Sequence, residues 1–226
     1  MTGPDDVVVT FDELPKTLPV FPLPGALLLP RGKLPLNIFE PRYLAMVRDA
    51  LAGDQFIGMI QPRGIAEEGT EPVPEDASLY GTGCVGRIAS FSETEDGRML
   101  ITLAGVCRFD VVREIEGRAG YRRVSAAYAR YAGDFEPAEA RVPGRERLLD
   151  ALRAYFAREG VAADWTVVTS SGDEPLVTAL AMICPFGPEE KQALLEAPTI
   201  GRRTELLAAL IEMAAMAGVE GNAARH

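Results

Sequence analysis

The sequence predicts an α+β protein: a partly closed antiparallel β-barrel domain followed by a C-terminal α-helical bundle. Two patterns and the break between them carry this. Residues 18–131 are short apolar runs punctuated by Gly and Pro, the pattern of many short strands joined by turns. From residue 145 onward, apolar residues recur at helical spacing. Residues 134–144 separate the two and read as a linker.

The expected organisation is a flexible tail at 1–17, a β domain at 18–133, the linker, a bundle at 145–218 and a second tail at 219–226. Strands are expected at 18–23, 27–29 and 34–38, where prolines point to edges and strand starts. A helix follows at 41–52. Glu40 sits at the positive end of its dipole, Pro41 stands where a missing N–H does no harm, and Gly53 closes it. A buried strand is expected at 55–60. The segment 62–78, with three prolines and five acids, reads as a mobile loop. Asp96-Gly97 is a hairpin turn between strands at 79–91 and 98–104, with Gly105 as a break. In the second arm Met99, Ile101 and Leu103 face one way, and Leu100, Thr102 and Ala104 the other. Strands at 106–115 and 120–131 are expected to join near Glu116-Gly117. Helices are expected at 145–159, at 173–183 with a capping box from Ser171 and Glu174, from Pro188, and at 200–217.

The net charge of −10 disfavours nucleic acid as the main partner. Residues 98–130 run against that balance, with seven arginines facing Asp110, Glu114 and Glu116. They read as solvated strand faces, with a patch for an acidic peptide or for RNA as the sharper reading.

Catalytic chemistry finds little to work with. The one histidine is His226, the last residue, so no triad or histidine-based zinc site is expected. The three lysines, Lys16, Lys33 and Lys191, read as solvated, which argues against Ser–Lys catalysis. No phosphate-cradling G-x-x-x-x-G-K-[ST] occurs. Cys84, Cys107 and Cys184 are widely spaced and read as reduced cysteines, mostly buried. Trp165, Met213 and Met216 read as core. Glu67, Glu68 and Glu71 read as a solvated loop, not a cation site. No catalytic residue, metal ion or cofactor is expected.

The opening LPVFPLPGALLLPRGKLPLNIFEPRY, then GTGCVGRI, DGRMLITLAGVCRF and LLEAPTIGRRTELL, occur in the order found in the N-terminal, substrate-binding domain of Lon proteases. The chain resembles the stand-alone proteins of that family. The resemblance implies a PUA-like β domain followed by helices. It also implies binding of unfolded or exposed apolar protein segments without an ATPase or peptidase, and work alongside a separate ATPase or protease. The residues expected to take part are Phe39, Glu40, Arg42 and Tyr43. Glu40 and Arg42 are placed to pair or cap locally, and Phe39 and Tyr43 either anchor a peptide or pack in the core. The PUA-like resemblance keeps one alternative, RNA binding through the Arg-rich 108–123 stretch. With no secretory signal and no apolar run near the ~20 residues of a membrane span, the cytoplasm is the expected compartment.

Overall fold

A computed structural model describes residues 9–64, 73–137 and 141–223, with side chains to 216. The chain divides into two compact units, Met1–Glu136 and Pro137–His226. No helix among the described residues is long and apolar enough to cross a membrane.

The first unit is built on one six-stranded sheet: β1 (Thr17–Pro22), β2 (Lys33–Ile38), β3 (Phe56–Ile60), β4 (Thr82–Glu93), β5 (Met99–Arg118) and β6 (Tyr121–Ala127). The order is β2-β5-β4-β3-β1-β6, and β5 also pairs with β6, so five strands close into a partial ring. The pairing is mixed where a purely antiparallel sheet was expected. β1 and β3 run parallel, with Val20 opposite Gly58. The chain between them passes through β2 and the helix α1 (Pro41–Leu51), the long crossover that parallel pairing requires. Leu18, Val20, Phe56, Ile60, Val85, Phe109 and Val124 fill the interior.

Three local expectations change. Residues 27–29 form no strand, although Leu27, Leu28 and Leu29 are all buried. Pro22, Pro24 and Pro30 have no N–H to give a ladder, and Gln61 holds the loop instead. Its Oε1 accepts from the Gly25 N–H at 2.9 Å, and its Nε2 donates to the Ala26 carbonyl at 3.1 Å. Gly105 does not end a strand; β5 runs through it with a bulge against β4. A Cβ at 105 would lie 2.0 Å from the Leu29 carbonyl oxygen, so glycine is needed for that loop to cross. The β5–β6 turn sits at Ala119-Gly120, both with positive φ, and not at Glu116-Gly117.

The N-terminal tail is shorter than expected, since a 3-10 turn spans Phe11–Glu13 and Leu14 is buried. Beyond β6 a 3-10 segment, Ala129–Phe135, stays with the first unit. The mobile-loop reading over 62–78 falls in part on residues 65–72, which lie outside the described residues, as do Glu67, Glu68 and Glu71.

The second unit contains α2 (Arg145–Glu159), α3 (Trp165–Ser170), α4 (Asp173–Ile183), α5 (Pro188–Glu196) and α6 (Ile200–Ala223). α2 and α6 form its main packing, supported by an Arg147–Glu212 pair at 2.6 Å. α3 was not foreseen: Asp164 caps it by accepting the Thr166 and Val167 N–H groups. Ser171 closes α3 and leaves the capping of α4 to Gly172, so the expected Ser171–Glu174 box does not form. Lys191, expected in solvent, is buried and donates to the Met182 carbonyl at 3.5 Å. Trp165 is half-buried against Phe156 and Arg153. Met213 and Met216 are exposed, not core.

Candidate functional site

The four predicted site residues part company at the start of α1. Glu40 is the N-cap and Pro41 the first helical residue. Glu40 pairs with Arg42 at 2.8 Å, and Arg42 also donates to the Val73 carbonyl at 3.0 Å. Tyr43 points inward and stacks on Phe21, with ring centroids 4.2 Å apart. Burial, moderated by nearby Arg42, pushes its phenol up to about 12. The crevice beside Arg42 and Tyr43 holds about 10 Å³, room for one water and no peptide. Phe39 alone of the four faces solvent, 61% exposed.

Phe39 lies at the end of a larger feature. β2 is the edge strand of the sheet, paired only with β5, which in turn pairs with β4. Asn37 lies opposite Leu100, and Leu100 opposite Ser92; Pro35 lies opposite Thr102, and Thr102 opposite Ser90. Directly paired residues share a face, so these six form one outer strip. Leu100 is 46% exposed there, and Arg98 stands 5.8 Å from the Phe39 ring centroid beyond it. Phe91, opposite the buried Ile101 and so on the other face of the arm, is 59% exposed. The six residues of the strip are among those lining an open groove of about 580 Å³, with Phe39 and Arg98 beyond its end. Several large apolar side chains left in solvent on neighbouring strands are the usual mark of an interaction surface. The alternation in 99–104 already assigned Leu100 to the outward set; Phe91 carried no such signal, because its exposure comes from its place near the end of β4.

The Arg-rich stretch is largely neutralised. Arg98 pairs with Asp96, Arg108 with Asp134, Arg118 with Asp49, Arg122 with Glu114 and Arg130 with Asp110. Three of these acids, Asp49, Asp96 and Asp134, lie outside residues 98–130, which is why the local count overstated the patch.

The Arg108–Asp134 pair is deeply placed, with both side chains 8% exposed. The guanidinium donates to both carboxylate oxygens at 2.7 and 3.0 Å, and the Arg108 N–H adds a third bond at 2.9 Å. Tyr131 lies under the guanidinium and donates to Asp110 at 2.8 Å. Burial, with Asp134 adding to it, pushes the Cys107 thiol up to about 12, so this cysteine is no nucleophile at neutral pH. Arg31 bonds the carbonyls of Asp134 and Glu136. The cluster is a clamp that holds the 3-10 segment on β5. Among the described residues, no group of three or more His, Cys, Asp or Glu is placed to hold a metal ion.

Residues 17–212 match the model of the ATP-dependent protease La (LON) substrate-binding domain. The chain belongs to that family. It is 28% identical over 206 residues to Lon protease 2 of Myxococcus xanthus, covering 90% of this chain and 24% of the relative. It is 25% identical over 206 residues to Lon protease of Anaeromyxobacter dehalogenans, again covering 24% of that protein. This LON substrate-binding domain thus spans about a quarter of the length of those relatives. Among solved structures, a Lon N-terminal domain protein from Xanthomonas campestris shares the fold at a TM-score of 0.59 and 24% identity, over 85% of this chain and 97% of that one. The N-terminal domain of Mycobacterium avium complex Lon protease matches at 0.58 and 16% identity, over 87% and 98%.

Proposed function

We propose that this domain binds unfolded or exposed apolar segments of other proteins and adds no chemistry of its own. The observation that carries this reading is the outer strip of β2, β5 and β4, where Leu100 stands in solvent with Phe39 beyond its end, on a domain of a substrate-binding family. Phe39 is retained from the sequence-based site. Glu40, Arg42 and Tyr43 support it from below: the Glu40 carbonyl accepts the first N–H bonds of α1, Arg42 ties Glu40 to the Val73 carbonyl, and Tyr43 packs on Phe21. Work on the captured segment falls to a separate ATPase or protease, in the cytoplasm.

A permanently unfolded model protein tests the reading. Reduced, carboxymethylated α-lactalbumin is expected to be retained by the immobilised domain, and native α-lactalbumin is not. Leu100→Asp with Phe39→Asp is expected to abolish retention while leaving the circular dichroism spectrum unchanged. Failure of the wild-type domain to retain the unfolded protein, or full retention by the double variant, contradicts the proposal.

A further inference from the structure

A second site lies elsewhere in the first unit and does not rest on the groove. A cleft of about 260 Å³ opens between the C-terminal end of α1 and strands β1 and β6. Its polar lining includes Asp49, Arg118, Tyr121 and Arg123, and Pro19 and Phe56 are among its apolar walls. Asp49 is already engaged. Tyr121 donates to its Oδ2 at 2.8 Å and Arg118 lies 3.1 Å from the same oxygen.

Arg123 is the exception. Its backbone is fixed on both sides, opposite Pro19 of β1 and Ile115 of β5. Its side chain is half-buried, yet among the described residues it makes neither an ion pair nor a hydrogen bond. The other arginines not fully exposed all have partners. Arg42, Arg108, Arg122 and Arg145 meet carboxylates, Arg87 an amide oxygen and Arg203 a carbonyl. Both Arg118 and Arg123 lie near enough to the Tyr121 hydroxyl to favour its ionisation, against the burial that raises it. Two cations therefore converge beside one hydroxyl, and only Arg118 has its counter-ion. A guanidinium held on a rigid strand, partly withdrawn from water, is prepared for a planar anion that can accept two parallel N–H bonds.

We propose that this cleft binds a carboxylate, with Arg123 as the principal contact and Pro19 and Phe56 as the apolar wall beside it. Two sources share that chemistry, the free C-terminus of a protein and an aspartate or glutamate side chain. Asp54, exposed on the rim, disfavours highly acidic ligands and so sets the preference at a single carboxylate.

The test is a titration of the full chain followed through its arginine Nε–Hε signals. N-acetylalanine supplies a terminal carboxylate, N-acetylaspartate α-amide a side-chain carboxylate, and N-acetylalanine amide neither. One or both carboxylates are expected to move the Arg123 signal, the stronger ligand naming the source, and the amide is expected to leave it in place. Added salt is expected to weaken the effect. Arg123→Gln is expected to lower affinity about tenfold or more, on the usual scale of a charged hydrogen bond. Arg123→Lys is expected to fall between the two, and Arg113→Gln, on an exposed neighbouring position, to change nothing. An Arg123 signal unmoved by either carboxylate, or moved equally by the amide, overturns the proposal. So does undiminished binding in Arg123→Gln. Because the wild-type titration stands without any variant, a folding defect in Arg123→Gln does not blunt the test.

Discussion

Strand β5 serves two regions of opposite character. From Gly105 through Asp110 it runs under the clamp of Arg108 and Asp134, with Cys107 and Phe109 fully buried. From Met99 to Ala104 it belongs to an arm that ends in the unpaired edge of β2 and leaves Leu100 in solvent. The first half is packed and clamped, and the second is left open, as the proposed contact surface requires. One strand can do both because the Gly105 bulge lets the loop at Leu29 cross between the halves. The edge itself carries its own protection. Pro35 lacks an N–H, and Lys33 puts a charge at the strand start, which discourages indiscriminate strand pairing. Under the proposed function, contact is thereby directed to the face of the arm.

This division is open to direct attack. The largest effect is expected in the clamp. Asp134→Ala leaves Arg108 buried without its carboxylate and is expected to cost about 3–5 kcal/mol in urea unfolding. A loss under about 1 kcal/mol, typical of surface pairs, would show the clamp to be solvated. At the junction, Gly105→Ala must displace the Leu29 carbonyl, and about 3 kcal/mol is expected on the scale of overpacking.

A pH series sharpens the same contrast. Cys107 titrates near 9.0 when unfolded and near 12 in the fold, because burial raises it. Tyr43 moves from 10.0 to about 12 for the same reason. Between the unfolded and folded values, the unfolded chain has lost these protons and the folded chain keeps them. Stability is therefore full below the unfolded values and falls as pH rises toward 12. Urea midpoints measured across that alkaline window are expected to drop steadily; a flat profile would mean that neither group is sequestered. The smallest effect on stability is expected on the arm, where Leu100→Ser should stay within about 0.5 kcal/mol while weakening capture of an unfolded protein.

How far these regions were legible depended on where the determining contacts come from. The hairpin at Asp96-Gly97, the Glu40-Pro41 helix start and the alternation in 99–104 are set by neighbours in sequence, and they were readable. The parallel β1–β3 pair was not, since it depends on a crossover spanning β2 and α1. Neither was the clamp, which joins Arg108 to an acid that sequence reading had placed in a linker. Tyr43 and Phe39 show the limit at a single site. Both are aromatic and flank the same helix start; Tyr43 shares the buried face of α1 with Met46, Val47 and Ala50 and packs on Phe21, while Phe39 precedes the helix and stays in solvent. The exposure of Met213 and Met216 has the same root, because an apolar residue at helical spacing reads as core until the neighbouring helix is known.

The central claim is that the outer arm of the sheet captures unfolded protein segments. The most direct measurement is the affinity of the domain for reduced, carboxymethylated α-lactalbumin before and after Leu100→Asp with Phe39→Asp. The account predicts measurable binding that the double variant loses without loss of fold. Equal affinity for both forms of the domain would contradict it.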